Sequence, residues 1–173
     1  MSIRRLRNPA WCWLTACAAL LCTGCAHYAL DTPGELPFRT VYVEPVKNRS
    51  YAPQAQELLT RQLITDLRQA GVTTVGSPAG ADATLSVTLV DLNRVGLATQ
   101  ADDTGLAASY LLVLEADCTL LARDGTPHFE ARRILAREQV FLDSGQQPAE
   151  FQAMPVLTRT LAGNIADAVT STW

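Results

Sequence analysis

The sequence predicts an α/β (α+β) sandwich: two helices packed on one face of a mostly antiparallel, mixed four-stranded sheet, in the order β-α-β-β-β-α. Three observations carry this. Apolar residues recur at three- and four-residue steps in two stretches, Ala55 to Ala70 and Phe151 to Val169, which is the period of an amphipathic helix. Between them lie runs in which apolar and polar residues alternate, as in strands with one buried face. The chain has 173 residues, 48% of them hydrophobic and 18% charged, which suits one ordinary core and excludes a disordered or collagen-like composition.

Each element can be justified in turn. Phe38 to Val46 is β-branched and aromatic, and Pro45 marks the end of a strand or an edge position. Lys47 to Ala52 is a polar loop. A helix of about 18 residues is expected to follow from Pro53, a residue suited to the first helical position. Ala55, Leu58, Leu59, Leu63, Ile64, Leu67 and Ala70 form its apolar face, and Gly71 caps its end. Val72 to Val75 forms a short extended piece. Ala83 to Leu92 alternates, whereas Asn93 to Gly105 has no period and reads as a long mobile connection. The strongest strand runs from Ala107 to Ala122, with Tyr110, Leu112, Leu114, Ala116, Cys118 and Leu120 on one parity. Asp124-Gly125 then supplies a hairpin turn with positive φ angles. Pro127 to Leu142 returns, and its apolar parity shifts between Ala131 and Ile134, which calls for a bulge across Arg132-Arg133. Pro148 to Trp173 is helical through Phe151, Met154, Leu157, Leu161, Ile165, Ala168 and Val169, with a kink or a later start at Pro155.

The first 24 residues read as a leader. Arg4, Arg5 and Arg7 precede a 12-residue apolar run, Ala10 to Leu21, which is too short to span a bilayer. Its end, Thr23-Gly24-Cys25, resembles the lipobox of bacterial lipoproteins, although Cys22 stands where the pattern usually has Leu. The resemblance implies cleavage before Cys25 and acylation of its thiol, with roughly 0.8 kcal/mol of anchoring per buried methylene. An ordinary secretory leader cut nearby is the alternative. Ala26, where an Asp would favour inner-membrane retention, implies the outer membrane. The expected organisation is a signal peptide over 1–24, a lipid-anchored tether over 25–37 and one domain over 38–173.

Cleavage removes three arginines and no acid, so the net charge of −3 becomes −6. Bulk charge therefore excludes nucleic acid as a partner. Once Cys25 is acylated, Cys118 has no partner, and no disulfide framework can form. It points inward on the alternation and is expected to behave as a small buried hydrophobe. His27 and His128 have no ligand neighbour at metal-binding spacing, so no metal site or cofactor is expected. There is no GxSxG, Walker or GxGxxG motif. Glu115 and Asp117 share a strand face expected to meet solvent. No enzyme chemistry is visible, and binding or assembly is the expected role.

Several segments together resemble the lipopolysaccharide-assembly lipoprotein family LptE. They are the lipobox cysteine with Tyr28-Ala29-Leu30 after it, Leu36-Pro37, Val41-Tyr42-Val43-Glu44-Pro45-Val46-Lys47-Asn48-Arg49-Ser50-Tyr51-Ala52-Pro53 leading into Leu59-Thr60, Ala81-Asp82-Ala83-Thr84-Leu85, the Tyr110 to Leu121 strand, and the terminal helix ending in Trp173. The resemblance implies two helices on a four-stranded sheet. It also implies an outer-membrane lipoprotein that plugs the LptD β-barrel, assists its assembly and binds lipopolysaccharide. Many members have Gly-Tyr directly after the cysteine, where this chain has Ala26-His27-Tyr28.

An anionic lipid needs placed cations, and Lys47 is the only lysine. The candidates are Arg123 at the hairpin tip, Arg132, Arg133 and Arg137 on the return strand, and Arg94 after the preceding one. Arg132 and Arg133 together are the expected contact. The alternative is that these are solvated charges paired with Glu115, Asp117, Glu130 and Glu138. A second role for the same anchor and domain is an auxiliary lipoprotein of a lipid ABC transporter, of the PqiC type; the Asn48-Arg49-Ser50-Tyr51 loop favours the first.

Overall fold

The β-branched run near the start of the domain forms strand β1 over Thr40–Val43 and breaks at Pro45, which has no N–H to give to a ladder. The computed structural model describes residues 36–99, 107–141 and 146–171. The leader, Cys25, the tether to residue 35, the 100–106 part of the expected connection, and Trp173 lie outside the described residues. After Pro45 the chain resumes as β2, Lys47–Asn48. Helix α1, Ala55–Gln69, crosses to β3, Thr73–Val75, and a short 3-10 turn, Pro78–Gly80, leads to β4, Ala83–Thr99. Strands β5, Ala107–Ala122, and β6, Pro127–Phe141, precede helix α2, Gln146–Thr170.

The sheet order is β3-β1-β4-β5-β6, with β2 paired to β4 further along. β1 is parallel to both β3 and β4, β2 is parallel to β4, and β4, β5 and β6 are antiparallel. The sheet is therefore mixed and mostly antiparallel, as expected, but has six strands rather than four. The additional strands, β2 and β3, are two and three residues long, too short to show alternation.

Three other expectations are corrected. Residues 93–99 are strand, not connection, since Asn93 pairs with Val113 and Val95 with Leu111. The pairing steps from Leu89↔Ala116 to Asp91↔Glu115, so Val90 is a bulge residue. This inverts the parity from Leu89 to Leu92, both buried, and hides the continuing period. In the β5–β6 hairpin only Gly125 has a positive φ, 84°, while its N–H donates to the Ala122 carbonyl at 2.9 Å. That is the arrangement of a glycine bulge, not a turn with two left-handed residues. The β6 bulge falls one step earlier than expected: Cys118 pairs with Arg132 and Leu120 with Phe129, leaving Glu130 and Ala131 opposite Thr119. Ala131 takes φ 48° there, and its N–H donates to Thr119 Oγ1 at 3.1 Å.

Both helices cover one face. α1 buries Ala55, Leu59, Leu63 and Leu67, a stripe at four-residue steps. α2 buries Met154, Leu157, Leu161, Ile165, Ala168 and Val169 against Leu85, Leu89, Leu112, Leu114 and Leu120 of the sheet, in one cluster. Its helix begins at Gln146 and runs through Pro155 without a later start. Thr158 Oγ1 donates to the carbonyls of Met154 and Pro155 at 2.9 and 3.2 Å. Phe151, expected in the apolar stripe, is instead exposed.

The end of α1 is set by Gly71 at φ 85°. The Val72 N–H donates to the Leu67 carbonyl at 2.9 Å and the Gly71 N–H to the Arg68 carbonyl at 3.1 Å, which is a Schellman cap. Buried Val72 and Leu67 supply its hydrophobic contact. No neighbour obstructs a Cβ at Gly71, so the cost of one is conformational. Gly71→Ala is expected to destabilise by about 1 kcal/mol, read as a lower urea midpoint with unchanged slope.

Candidate functional site

Five arginines stand out in the sequence, and the fold distributes them over four places. Arg123 lies beside the β5–β6 turn, at the end of the sheet where β1 and β4 begin. Its Nε donates to the Ala81 carbonyl at 2.8 Å and its Nη2 to Asp82 Oδ1 at 3.3 Å. Asp82 in turn holds the entrance of β1: Oδ2 accepts from the N–H groups of Arg39 and Thr40 at 3.2 and 3.1 Å and from Thr40 Oγ1 at 2.8 Å. These bonds, the Thr40 hydroxyl first, hold the Asp82 carboxyl below its usual pKa. Its stabilising contribution is therefore complete above the unfolded carboxylate value of about 4 and is lost as pH falls through the depressed folded value. Asp82→Asn should lower stability at pH 7 and narrow the gap to the parent below pH 3, measured by urea unfolding at both.

Arg133 and Arg137 lie on the sheet face opposite the one that α1 and α2 cover. Arg133 donates to both oxygens of its cross-strand neighbour Asp117, at 2.6 and 3.3 Å, and to Glu115 Oε2 at 2.7 Å. These acids raise its pKa further and fix its fork. Arg137 stands opposite Val113 and makes no ion pair among the described residues. Arg132 pairs with buried Cys118 and so points to the helix-covered face, with its guanidinium carbon 5.8 Å from the centroid of the Phe129 ring. Adjacent strand residues face opposite ways. Arg132 and Arg133 therefore do not converge into one pocket, and Arg133 is engaged by two acids.

Arg94 occupies the opposite end of the sheet from Arg123. The bulge at Val90 turns it to the helix face, where it reaches the first turns of α2. There its Nε donates to Glu150 Oε1 and its Nη2 to Oε2 at 2.8 Å, a bidentate pair. Tyr110 Oη, from the facing strand β5, also donates to Glu150 Oε1, at 3.0 Å. Burial, then its bond to Glu150, pushes the Tyr110 phenol up to about 12, so it stays a donor. The ion pair was not readable in the sequence, because 56 residues separate Arg94 from Glu150.

Beside this triad lies a groove of about 380 Å³, bounded by Tyr51, Leu92, Glu150, Phe151 and Met154 among others. One wall is the loop that enters α1. Asn48 Oδ1 accepts from Ser50 N–H and Ser50 Oγ at 2.9 and 2.8 Å, and Asn48 Nδ2 donates to the Ala52 carbonyl at 2.9 Å. This scaffold tucks Ala52 into the core and leaves Tyr51 93% exposed. Val95 at the end of β4, Phe141 at the end of β6, and Phe151 and Val156 in the first half of α2 are also exposed. By topology these residues gather toward one end of the domain, which is unusual for large apolar side chains scattered at random.

Cys118 is fully buried, and burial followed by the Asp117 charge raises its thiol to about 12, far from a reactive thiolate. Among the described residues no group of three or more His, Cys, Asp and Glu is placed to hold a metal ion. No described helix is long and apolar enough to cross a membrane.

Fold and site together define a helix-on-sheet module in which Arg94, Arg123 and Arg133 are engaged by its own acids and whose exposed apolar groups collect at one end. The family model for lipopolysaccharide assembly, LptE, matches residues 38–169, and the chain belongs to that family. No curated protein matches the sequence significantly. Among solved structures, a hypothetical protein of Chlamydia trachomatis is similar at TM-score 0.54 and 9% identity, over 77% of this chain and 96% of that one. A Xanthomonas campestris protein is similar at TM-score 0.52 and 12% identity, over 78% and 85%. An uncharacterized lipoprotein B of Nitrosomonas europaea is similar at TM-score 0.49 and 14% identity, over 78% and 81%. The first two likenesses establish the fold alone.

Proposed function

We propose that this chain is an outer-membrane lipoprotein, anchored through acylated Cys25, that sits in an LptD-type β-barrel, assists its assembly and binds lipopolysaccharide there without covalent chemistry. The observation that carries the reading is the family match across 38–169. The leader ending in Thr23-Gly24-Cys25, with Ala26 next, supports the anchor and the address. The apolar end of the domain supports a role in which that end meets lipid or the wall of a partner. Among the candidate lipid contacts, Arg94 combines a cation with an apolar groove. Arg132 and Arg137 remain available on separate faces, and Arg133 and Arg123 are tied to Glu115, Asp117 and Asp82.

A tagged copy retained with its membranes, solubilised in mild detergent and captured, is expected to bring down a large outer-membrane barrel in near-stoichiometric amount. Recovery of an inner-membrane transporter component in place of a barrel would overturn the proposal and favour the auxiliary-lipoprotein role.

A further inference from the structure

The cation best placed for an anionic lipid is held by its own chain. Arg94 has its side chain 47% exposed, whereas the Glu150 side chain that binds it is 15% exposed and forms part of the groove lining, so the ion pair joins the cation to the groove. The guanidinium fork is filled by both carboxylate oxygens. A bidentate carboxylate occupies the same N–H donors that a phosphate would take. Leu92 and Met154, with the exposed rings of Tyr51 and Phe151, provide apolar surface within reach of the same point. Charge and surface together match one occupant, an amphiphile carrying a phosphate beside acyl chains.

We infer that Glu150 is a built-in competitor for Arg94: a phosphorylated amphiphile entering the Tyr51–Phe151 groove takes the arginine from Glu150, so the empty site is self-neutralised and the β4–α2 latch opens only on exchange. This rests on the lipopolysaccharide-binding part of the proposed function and adds its regulation. The exchange is one anion for another, with no bond made or broken. Tyr110 keeps a hydrogen bond on Glu150 after Arg94 leaves, which offsets part of the cost of freeing a largely covered carboxylate.

The test is titration of fluorescent diphosphoryl lipid A with the full-length chain in a neutral detergent, at one fixed salt concentration, with circular dichroism confirming each fold. Glu150→Gln removes the competing charge and should tighten the dissociation constant three- to tenfold. Arg94→Gln should weaken it at least tenfold, and the double variant should match Arg94→Gln. Glu150→Asp, which draws the carboxylate back but keeps its charge, should give a smaller tightening and serves if Glu150→Gln does not fold. Unchanged or weaker binding by the Glu150 variants, with the parent binding normally, overturns the competition while leaving the proposed function intact. A parent that does not bind lipid A overturns both. Complete displacement of lipid A by millimolar inorganic phosphate would show that the groove contributes nothing, and would overturn the assignment of an amphiphile.

Discussion

Leu161→Ala is expected to lower stability by about 3 to 4 kcal/mol, the largest effect of any single truncation proposed for this chain. Leu161 is fully buried on α2, in the cluster that joins both helices to the sheet. Truncation loses the transfer free energy of three carbons and leaves a cavity that the close-packed surroundings fill only in part. Against a total of roughly 5 to 15 kcal/mol for a domain, that is a large fraction. Urea unfolding should show a much lower midpoint at unchanged slope. Phe151→Ala, ten residues earlier on the same helix, should stay within about 0.5 kcal/mol because Phe151 is exposed. A similar loss at both positions would mean that α2 does not present these faces.

Cys25→Ser is expected to abolish stable membrane attachment. A three-chain modification at this residue would bury several tens of methylenes, at about 0.8 kcal/mol each, far beyond the single chain that gives only reversible binding. A serine cannot form the thioether, so the variant should keep its leader or appear in the soluble periplasmic fraction, and should take up no labelled palmitate. Normal maturation and membrane retention of the serine variant would remove the lipoprotein part of the proposal. The domain itself should be unaffected, with the same unfolding midpoint after detergent extraction as the parent.

The long elements were legible because each has a period sustained over many residues. Ala107 to Ala122 matched its strand end to end, and the Leu59-Leu63-Leu67 stripe located α1. What escaped is what has no local period. β2 exists only through parallel pairing with a strand distant in sequence, Lys47 with Thr88, and β3, expected as a short extended piece, becomes a sheet strand only through the pairing of Thr73 with Thr40. The end of β4 was hidden by the extra residue Val90, which reverses the alternation that a reader follows. The candidate site suffered most. Arginines could be listed by position, but strand parity separated Arg132 from Arg133, and only the tertiary fold brings Glu150 and Tyr110 to Arg94. Tyr51 lies in the Lys47–Pro53 segment, the most specific part of the family resemblance, yet its outward display depends on the Asn48 side chain folding the loop beneath it.

The bulge at Ala131 has a consequence beyond local geometry. Among the described residues β6 ends the sheet, is fifteen residues long and has no strand on its outer side, and such an edge presents a row of backbone donors and acceptors. An extended segment of another chain that met such a template could add to the sheet. The left-handed kink at Ala131, followed at once by Arg132 and Arg133 on opposite sides, breaks that edge into two short stretches that no straight incoming strand can follow. The irregularity in β6 thus serves as a guard against runaway sheet growth.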